Sequence, residues 1–600
     1  MTVSLLAAVL FAAQFAPPQS NYEPPGAEKT ASLAASTAAS PRDLLTPAET
    51  SNYNRTGRYA EAVEYARSLE KLSPWVRVEK FGTTPQGREM VMLVVSKDRA
   101  FTPQAAARTG KPVIYIQNGI HSGEIAGKDA TFMLLRDIVV TKRFAGWLDH
   151  VILLVVPVFN IDGHERMSPY SRMNQNGPEE MGWRTTAQGL NLNRDYLKAD
   201  APEMRALLKM YTAWLPEMLI DNHVTDGTDY QYDLTISAST EQEVWPTVGR
   251  WNSAFLKNVL AALDKDGHAA GRYADPRDPS DLSKGLVAWG ATPRFSTGYA
   301  AIQNRVGVLV ETHSLKRYRT RVWAHYDLMR RAIEYVAANP KALKNAVAQA
   351  DREVAEQAGK RMFVAGEPAE GPDKEVYRGL ARRMEQAEAI GGTYPVYGAE
   401  PVNETVPMYD RAKTTFGPVA PLAYAIPREW TSIIDLLAAH GVRMETLDRD
   451  SAAEVETYTF SNVRWAQRPF EGRLRVSFGT QAKSESATLP AGTVLVRMNQ
   501  RAARVALNIL EPGAPDSAVG WGFMNPIFEQ KEYAEAYLLE PLARRMLASD
   551  AKLRGEFDAR MKDPAFAKDP GARRQFFYER SPYWDAKKDV YPILRVMRFR

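Results

Sequence analysis

Six hundred residues exceed what one ordinary hydrophobic core holds, so the length asks for more than one domain, and 45% apolar with 24% charged residues is a soluble globular composition. The net charge of +5 is small, with Lys and Arg interspersed among Asp and Glu and no basic stripe of the kind nucleic-acid binding needs. The absence of cysteine excludes disulfides, thiolate metal sites and cysteine nucleophiles, leaving His, Asp and Glu to build any metal site.

At the N-terminus, MTVSLLAAVLFAAQFA is an apolar run too short to span a bilayer, followed by a Pro-, Ser- and Ala-rich stretch. It predicts an export signal over 1–16 and a disordered linker over 17–45, hence a periplasmic or secreted bacterial protein, although the run lacks a leading Lys or Arg and a clear A-x-A site. No further transmembrane candidate and no internal repeat follow. From 46 to 340, short apolar runs alternate with helical stretches, which predicts an α/β domain: a mixed, mostly parallel central sheet flanked by helices. Strands are expected at 76–82 and 88–95 around the turn TTPQG, then at 113–117, 151–159, 217–221, 232–236 and 306–311. Helices are expected at 125–139, 241–263 and 321–338. Residues 341–397, rich in Ala, Glu, Gln and Arg, predict a helical connector. Beyond it, β-α-β passages at 422–447 and 492–510 predict a smaller C-terminal α/β accessory domain over 398–600.

The passage VIYIQNGIHSGEIAGKDATFMLL puts His121 and Glu124 past a strand end and at the mouth of a helix, so both side chains can converge. An H-x-x-E pair alone is a weak signal, and the setting strengthens it, because open α/β sheets present ligands at the C-terminal ends of their strands. A hydrolytic zinc site takes three protein ligands and leaves one position open. His223, in EMLIDNHVTDGTD after another apolar strand, is the best third ligand. His164 and His313 also follow strand ends and rank next. His150, His268, His325 and His440 lie in or beside other elements and read as surface or core histidines.

Two further motifs carry a family resemblance. GLNLNRDY at 189–196 resembles the G-V-D-x-N-R-N-aromatic motif of carboxypeptidase A-like zinc metallopeptidases, and PVFNIDG at 157–163 resembles their P-x-x-N-P-D-G. With H-x-x-E upstream and a strand-borne His downstream, the resemblance spans about 53–329, in the manner of bacterial members with a C-terminal accessory domain. It implies that Asn193 and Arg194 bind a peptide's terminal carboxylate, for which a planar guanidinium fork is suited. It also implies that Arg184, in Trp183-Arg184, holds the oxyanion and that Glu311, at the end of VGVLVETHS, is the essential base. Bland readings stand beside these: Arg194 paired with Asp195, and Glu311 paired with Lys316 or Arg317. Asn191 departs from the family's usual Asp as acceptor for a zinc-bound His, and Ile161 departs from the Pro of its turn. The family's capping tyrosine has no secure counterpart; Tyr299 and Tyr318 are guesses.

The resulting expectation is a metallocarboxypeptidase using one zinc ion (Zn2+) on His121, Glu124 and His223. It would hydrolyse the C-terminal residue of a peptide with a free carboxylate, through zinc-activated water and the Glu311 base. Cell-wall stem peptides or acylated amino acids are alternative substrates for the same chemistry. A zinc-less binding module is the non-enzyme alternative, which retention of the ligands, the base and Arg184 argues against.

Overall fold

The computed structural model describes residues 18–23, 31–239, 243–288 and 290–600. The expected export signal at 1–16 lies outside them. The stretch expected as a disordered linker instead contains the helix Ala31–Ala38 and a turn at Arg42–Leu44. Leu33 and Ser36 are buried there, and Ser36 Oγ accepts from Arg136. Small Ala and Ser side chains let this helix lie flat on the domain, so composition alone was a poor guide to order.

The first strands are β1 (Val76–Thr83), β2 (Glu89–Val95), β3 (Val113–Asn118), β4 (Ile152–Val156), β5 (Met218–Thr225), β6 (Leu234–Ala238) and β7 (Ala270–Arg272). After the short β8 (Ala274–Pro276) and β9 (Leu286–Ala288) comes β10 (Val306–His313). An eight-stranded sheet runs β1-β2-β4-β3-β5-β10-β6-β7. Its centre, β4-β3-β5-β10, is parallel, while the β1-β2 hairpin and the β10-β6 pair are antiparallel. The mixed, mostly parallel sheet expected from the apolar runs is therefore present. β3, β4, β5 and β10 are buried along their whole length, as strands covered on both faces must be. The strand expected at 151–159 is shorter because Pro157 offers no N–H to the ladder.

Helix Ala126–Val139 is buried all round and approaches β5 closely: a Cβ on Gly127 would stand 2.6 Å from that of Asn222. Helices Pro246–Asp266 and Tyr318–Ala338 pack on the same side. The first begins with Pro at its start and ends on Gly267 at φ +94, the usual pairing of a proline that needs no N–H donor partner with a glycine free to turn left-handed. Pro202–Trp214 and Ser296–Ile302 cover other parts of the sheet, and Asp221 and Asn222 of β5 separate the two faces, one side chain accepting from Ser296 and the other facing Asn118 and Met329.

The expected helical connector is helical only over Pro340–Ala355. It continues as β11 (Ala365–Ala369), β12 (Lys374–Gln386), β13 (Thr393–Tyr409) and β14 (Arg411–Phe416). β12 and β13 form a long antiparallel ribbon, whose cross-strand pairing overrides the helix-favouring composition of β12. Further on are β15 (Ala423–Ile426), β16 (Glu445–Thr446), β17 (Ser451–Trp465), β18 (Val476–Leu489), β19 (Val494–Arg497) and β20 (Leu594–Phe599). They form a sheet in the order β16-β19-β15-β20-β17-β18, antiparallel throughout. Helices Thr431–Ala439 and Ala503–Leu510 belong to it, as expected from the β-α-β passages; β17 and β18 were not anticipated. The largest core cluster is continuous from Leu33 to Ile593.

Candidate metal and catalytic site

β3 ends at Asn118, and the chain turns at Gly119 with φ +63 before helix Ala126–Val139 begins. His121 and Glu124 occupy that turn, which the Glu124 N–H closes onto the His121 carbonyl at 2.9 Å. The third residue of the cluster, His223, lies inside β5 instead of in a loop beyond it. Glu311 likewise lies inside β10, directly opposite His223 in the parallel register. Because side chains of in-register neighbours stand on one face, this pairing brings the two together.

The ligand atoms of His121, Glu124 and His223 lie within 4.8 Å of one another, and all three residues are buried. Nδ1 of His121 is 3.0 Å from Oε1 of Glu124, and Nδ1 of His223 is 2.8 Å from Oε2. Each ring turns Nε2 outward: His121 to Asn191 Oδ1 at 3.1 Å, His223 to Asp221 Oδ2 at 2.8 Å. Both acceptors favour a proton on Nε2, leaving the Nδ1 lone pairs directed inward. Two imidazoles and a carboxylate around one point are the donor set of a zinc site with a further position open. Burial pushes His121 down to about 4, keeping it neutral and ready to ligate, despite the opposing charge of Glu124. Burial works against the charge on Glu124 too, yet its close neighbours, the Arg172 guanidinium among them, hold it well below the usual range.

Glu311 borders the cluster. Burial pushes its carboxyl up to about 8, with Glu124 and Asp221 adding to the effect against His223. Its Oε2 is buried with no hydrogen-bond partner among the described residues. Lys316 instead donates to Ser20 and to the carbonyls of Tyr22 and Tyr230, and Arg317 pairs with Glu23. The bland pairing of Glu311 is absent.

A cavity of about 190 Å³ opens over the cluster and is lined by Arg184, Asn193 and Arg194 as well as Glu311. Arg184 reaches Glu124 Oε1 at 3.3 Å. Arg194 donates to the Asn193 carbonyl and stacks over Phe295 at 4.3 Å. Asp195 is engaged elsewhere, with Lys198 and the N–H groups of Asp200 and Ala201. Burial first, and then the neighbouring Arg184 and Arg294, pull Arg194 down to about 10, and an incoming anion would favour its charged form. Asn193 is less free than expected: its Oδ1 accepts from Ser296 N–H at 3.2 Å and its amide nitrogen is 3.5 Å from His223.

The rival histidines lie elsewhere. His164 faces Glu165, and His313 faces the Thr228 carbonyl. Tyr299 is sealed against His440 and Gln303, and Tyr318 against Asp129, so neither guess for a capping tyrosine reaches the cavity. Tyr273 lines it, as does Arg172, whose Nη1 is 2.8 Å from Glu124 Oε1. Neither was singled out from sequence. Arg172 occupies space that Gly123 leaves empty, since a Cβ there would stand 2.3 Å from its Cδ, a link that no local pattern reveals. Asp221 had a readable signal in D-x-H within a strand, which puts both side chains on one face.

Residues 62–274 match the zinc carboxypeptidase family. Carboxypeptidase 2 of Trichophyton rubrum is 22% identical over 479 residues, covering 77% of this chain and 82% of that protein. A probable carboxypeptidase 2 of Arthroderma benhamiae is 21% identical over 471 residues, covering 75% and 83%. Among solved structures, carboxypeptidase A from Helicoverpa armigera is similar over 48% of this chain and 75% of its own, at 16% identity and a TM-score of 0.37.

Proposed function

We propose, on the match of residues 62–274 to the zinc carboxypeptidase family, that the chain is a zinc metallopeptidase that removes the C-terminal residue of peptides, with one zinc ion on His121, Glu124 and His223 and with Glu311 as general base. Zinc held there would supply a Lewis acid for the scissile carbonyl and lower the pKa of a water. Glu311 takes the proton from the attacking water and returns it to the leaving amine. A carboxylate that burial raises above the ordinary range is a stronger base toward the attacking water than an ordinary one. Arg184, half-exposed at the cavity mouth, donates to the oxyanion as the carbonyl becomes tetrahedral. Arg194 recognises the terminal carboxylate, and Asn193 backs it from beside His223.

The observation that carries this reading is the Oε2 of Glu311, buried and unpartnered among the described residues, beside three convergent candidate ligands. The family match stops before residue 306, so the support for Glu311 as base is its register with His223, independent of that match. Glu311→Gln is expected to retain zinc while losing at least about 100-fold in peptide hydrolysis, the lower range for removing a general base. A free C-terminus is expected to be required, so the C-terminally amidated form of the same peptide is cleaved far more slowly. A Gln variant as fast as the parent sinks the assignment of the base, and equal cleavage of the amidated peptide sinks the carboxypeptidase reading.

A further inference from the structure

The loop between β17 and β18 reaches the metal site from the far end of the sequence. Phe470 and Arg473 exchange both backbone hydrogen bonds, at 2.9 and 3.1 Å, around the two residues Glu471 and Gly472. Their φ angles, +49 and +78, define a tight turn in which both central residues are left-handed. Gly, Asn and Asp are the usual occupants of the first of these positions; a Glu there is strained. Strain at such a position points to a use for the side chain.

That side chain is half-buried, and its Oε2 accepts the Asn191 N–H at 2.9 Å. Asn191 in turn presents Oδ1 to His121 Nε2 at 3.1 Å and to the Asn193 N–H at 3.0 Å. The loop is clamped beside it, with Arg473 gripping both oxygens of Asp200 at 2.7 and 2.6 Å and lying 3.5 Å over Phe523. Phe470 stacks on Trp521. A Cβ on Gly472 would stand only 3.1 Å from Leu190, so the turn lies directly against the segment that carries Asn191, Asn193 and Arg194.

We propose that Glu471 is a positioning residue for the metal site. By holding the Asn191 backbone it fixes the neutral oxygen that orients His121, supplying from the C-terminal region a hydrogen bond that the 62–274 segment does not make for itself. The proposal rests on the assignment of zinc to His121, Glu124 and His223.

Zinc affinity and the urea midpoint of the metal-free protein, measured on the full chain, test it. Asn is at home at positive φ but too short to reach Asn191. Glu471→Asn is therefore expected to leave the midpoint unchanged or higher while weakening zinc binding about 10-fold or more, the usual cost of losing a partner behind a ligand. Glu471→Gln keeps an acceptor of the same reach and is expected to recover most of the affinity. Wild-type zinc affinity in Glu471→Asn overturns the proposal, as does a loss of affinity that comes with a lowered midpoint. A Gln variant as weak as the Asn variant overturns it too. If the wild-type chain itself binds no zinc, or His121→Ala binds it as tightly, the functional reading falls and takes this proposal with it.

Discussion

The two histidines of the candidate centre lean on unequal partners. His121 has the neutral oxygen of Asn191, and His223 has the carboxylate of Asp221. Burial opposes the charge on Asp221, but His223, Ser296 and Gln117 together hold its pKa below the ordinary value. An anionic partner makes an imidazole more basic and fixes its tautomer, so His223 is the stronger of the two donors. Asp221→Asn keeps the shape and removes the charge. It is expected to weaken zinc binding by about 10- to 100-fold, the range found when such partners are lost. A zinc titration that cannot separate the variant from the parent would show that the charge does not matter. At this scale the convergence was legible: strand ends and motif order singled out His121, Glu124 and His223, which the structure brings together. Arg172 and Tyr273 were not singled out, because their place in the cavity is set by contacts between segments distant in sequence.

Among the elements, the sheet edge and the helix Tyr318–Ala338 are tied by one buried imidazole. His268 precedes β7, packs at a tilt against Trp323 with ring centres 3.8 Å apart, and is flanked by Asp233 Oδ2 at 2.6 Å and Asp327 Oδ2 at 3.2 Å. Burial disfavours its charge, but Asp233 and then Asp327 outweigh that and hold it at about 9, above the 6.5 of an unfolded chain. A group whose pKa is raised on folding stabilises fully below its unfolded value and loses that contribution as pH rises through the folded one. At about 1.4 kcal/mol per pH unit between the two values, the cluster contributes on the order of 3 kcal/mol below pH 6.5, fading towards pH 9. Comparing urea midpoints of the parent and His268→Gln across that interval checks it; a difference that stays constant from pH 6 to 10 refutes the ion pair. From sequence, His268 could be read as a core histidine but its charge could not. The same limit applies to whole elements. Apolar alternation located the strands of the central sheet, because burial on both faces writes itself into composition. The β12-β13 and β17-β18 ribbons are mostly exposed and polar. They exist through partner strands, and single-strand patterns are silent about partners.

For the molecule as a whole, the question is whether the C-terminal part is an appendage. The largest apolar cluster runs without a break through Tyr211, Tyr299 and Leu343 into Ile433, Leu437, Val505 and Leu507. Helix Thr431–Ala439 packs on Pro202–Trp214, and Ala503–Leu510 packs on Pro340–Ala355. Polar ties accompany them. His440 faces the Leu197 carbonyl at 2.9 Å and the Tyr299 hydroxyl at 3.0 Å, and Arg504 donates to the Ala301 carbonyl at 2.7 Å. Ending the chain at residue 397 would strip cover from buried tyrosines at the sheet and leave these groups facing water. Fully burying one large apolar side chain is worth about 1.5 to 3 kcal/mol, so uncovering several exceeds the margin of about 5 to 15 kcal/mol by which folded proteins persist. The 1–397 chain is accordingly expected to be insoluble or to unfold without a cooperative transition, and to bind no zinc tightly. Soluble 1–397 protein with a sharp urea transition and full-length zinc affinity would make the C-terminal region a separable module and deny it any part in supporting the metal site.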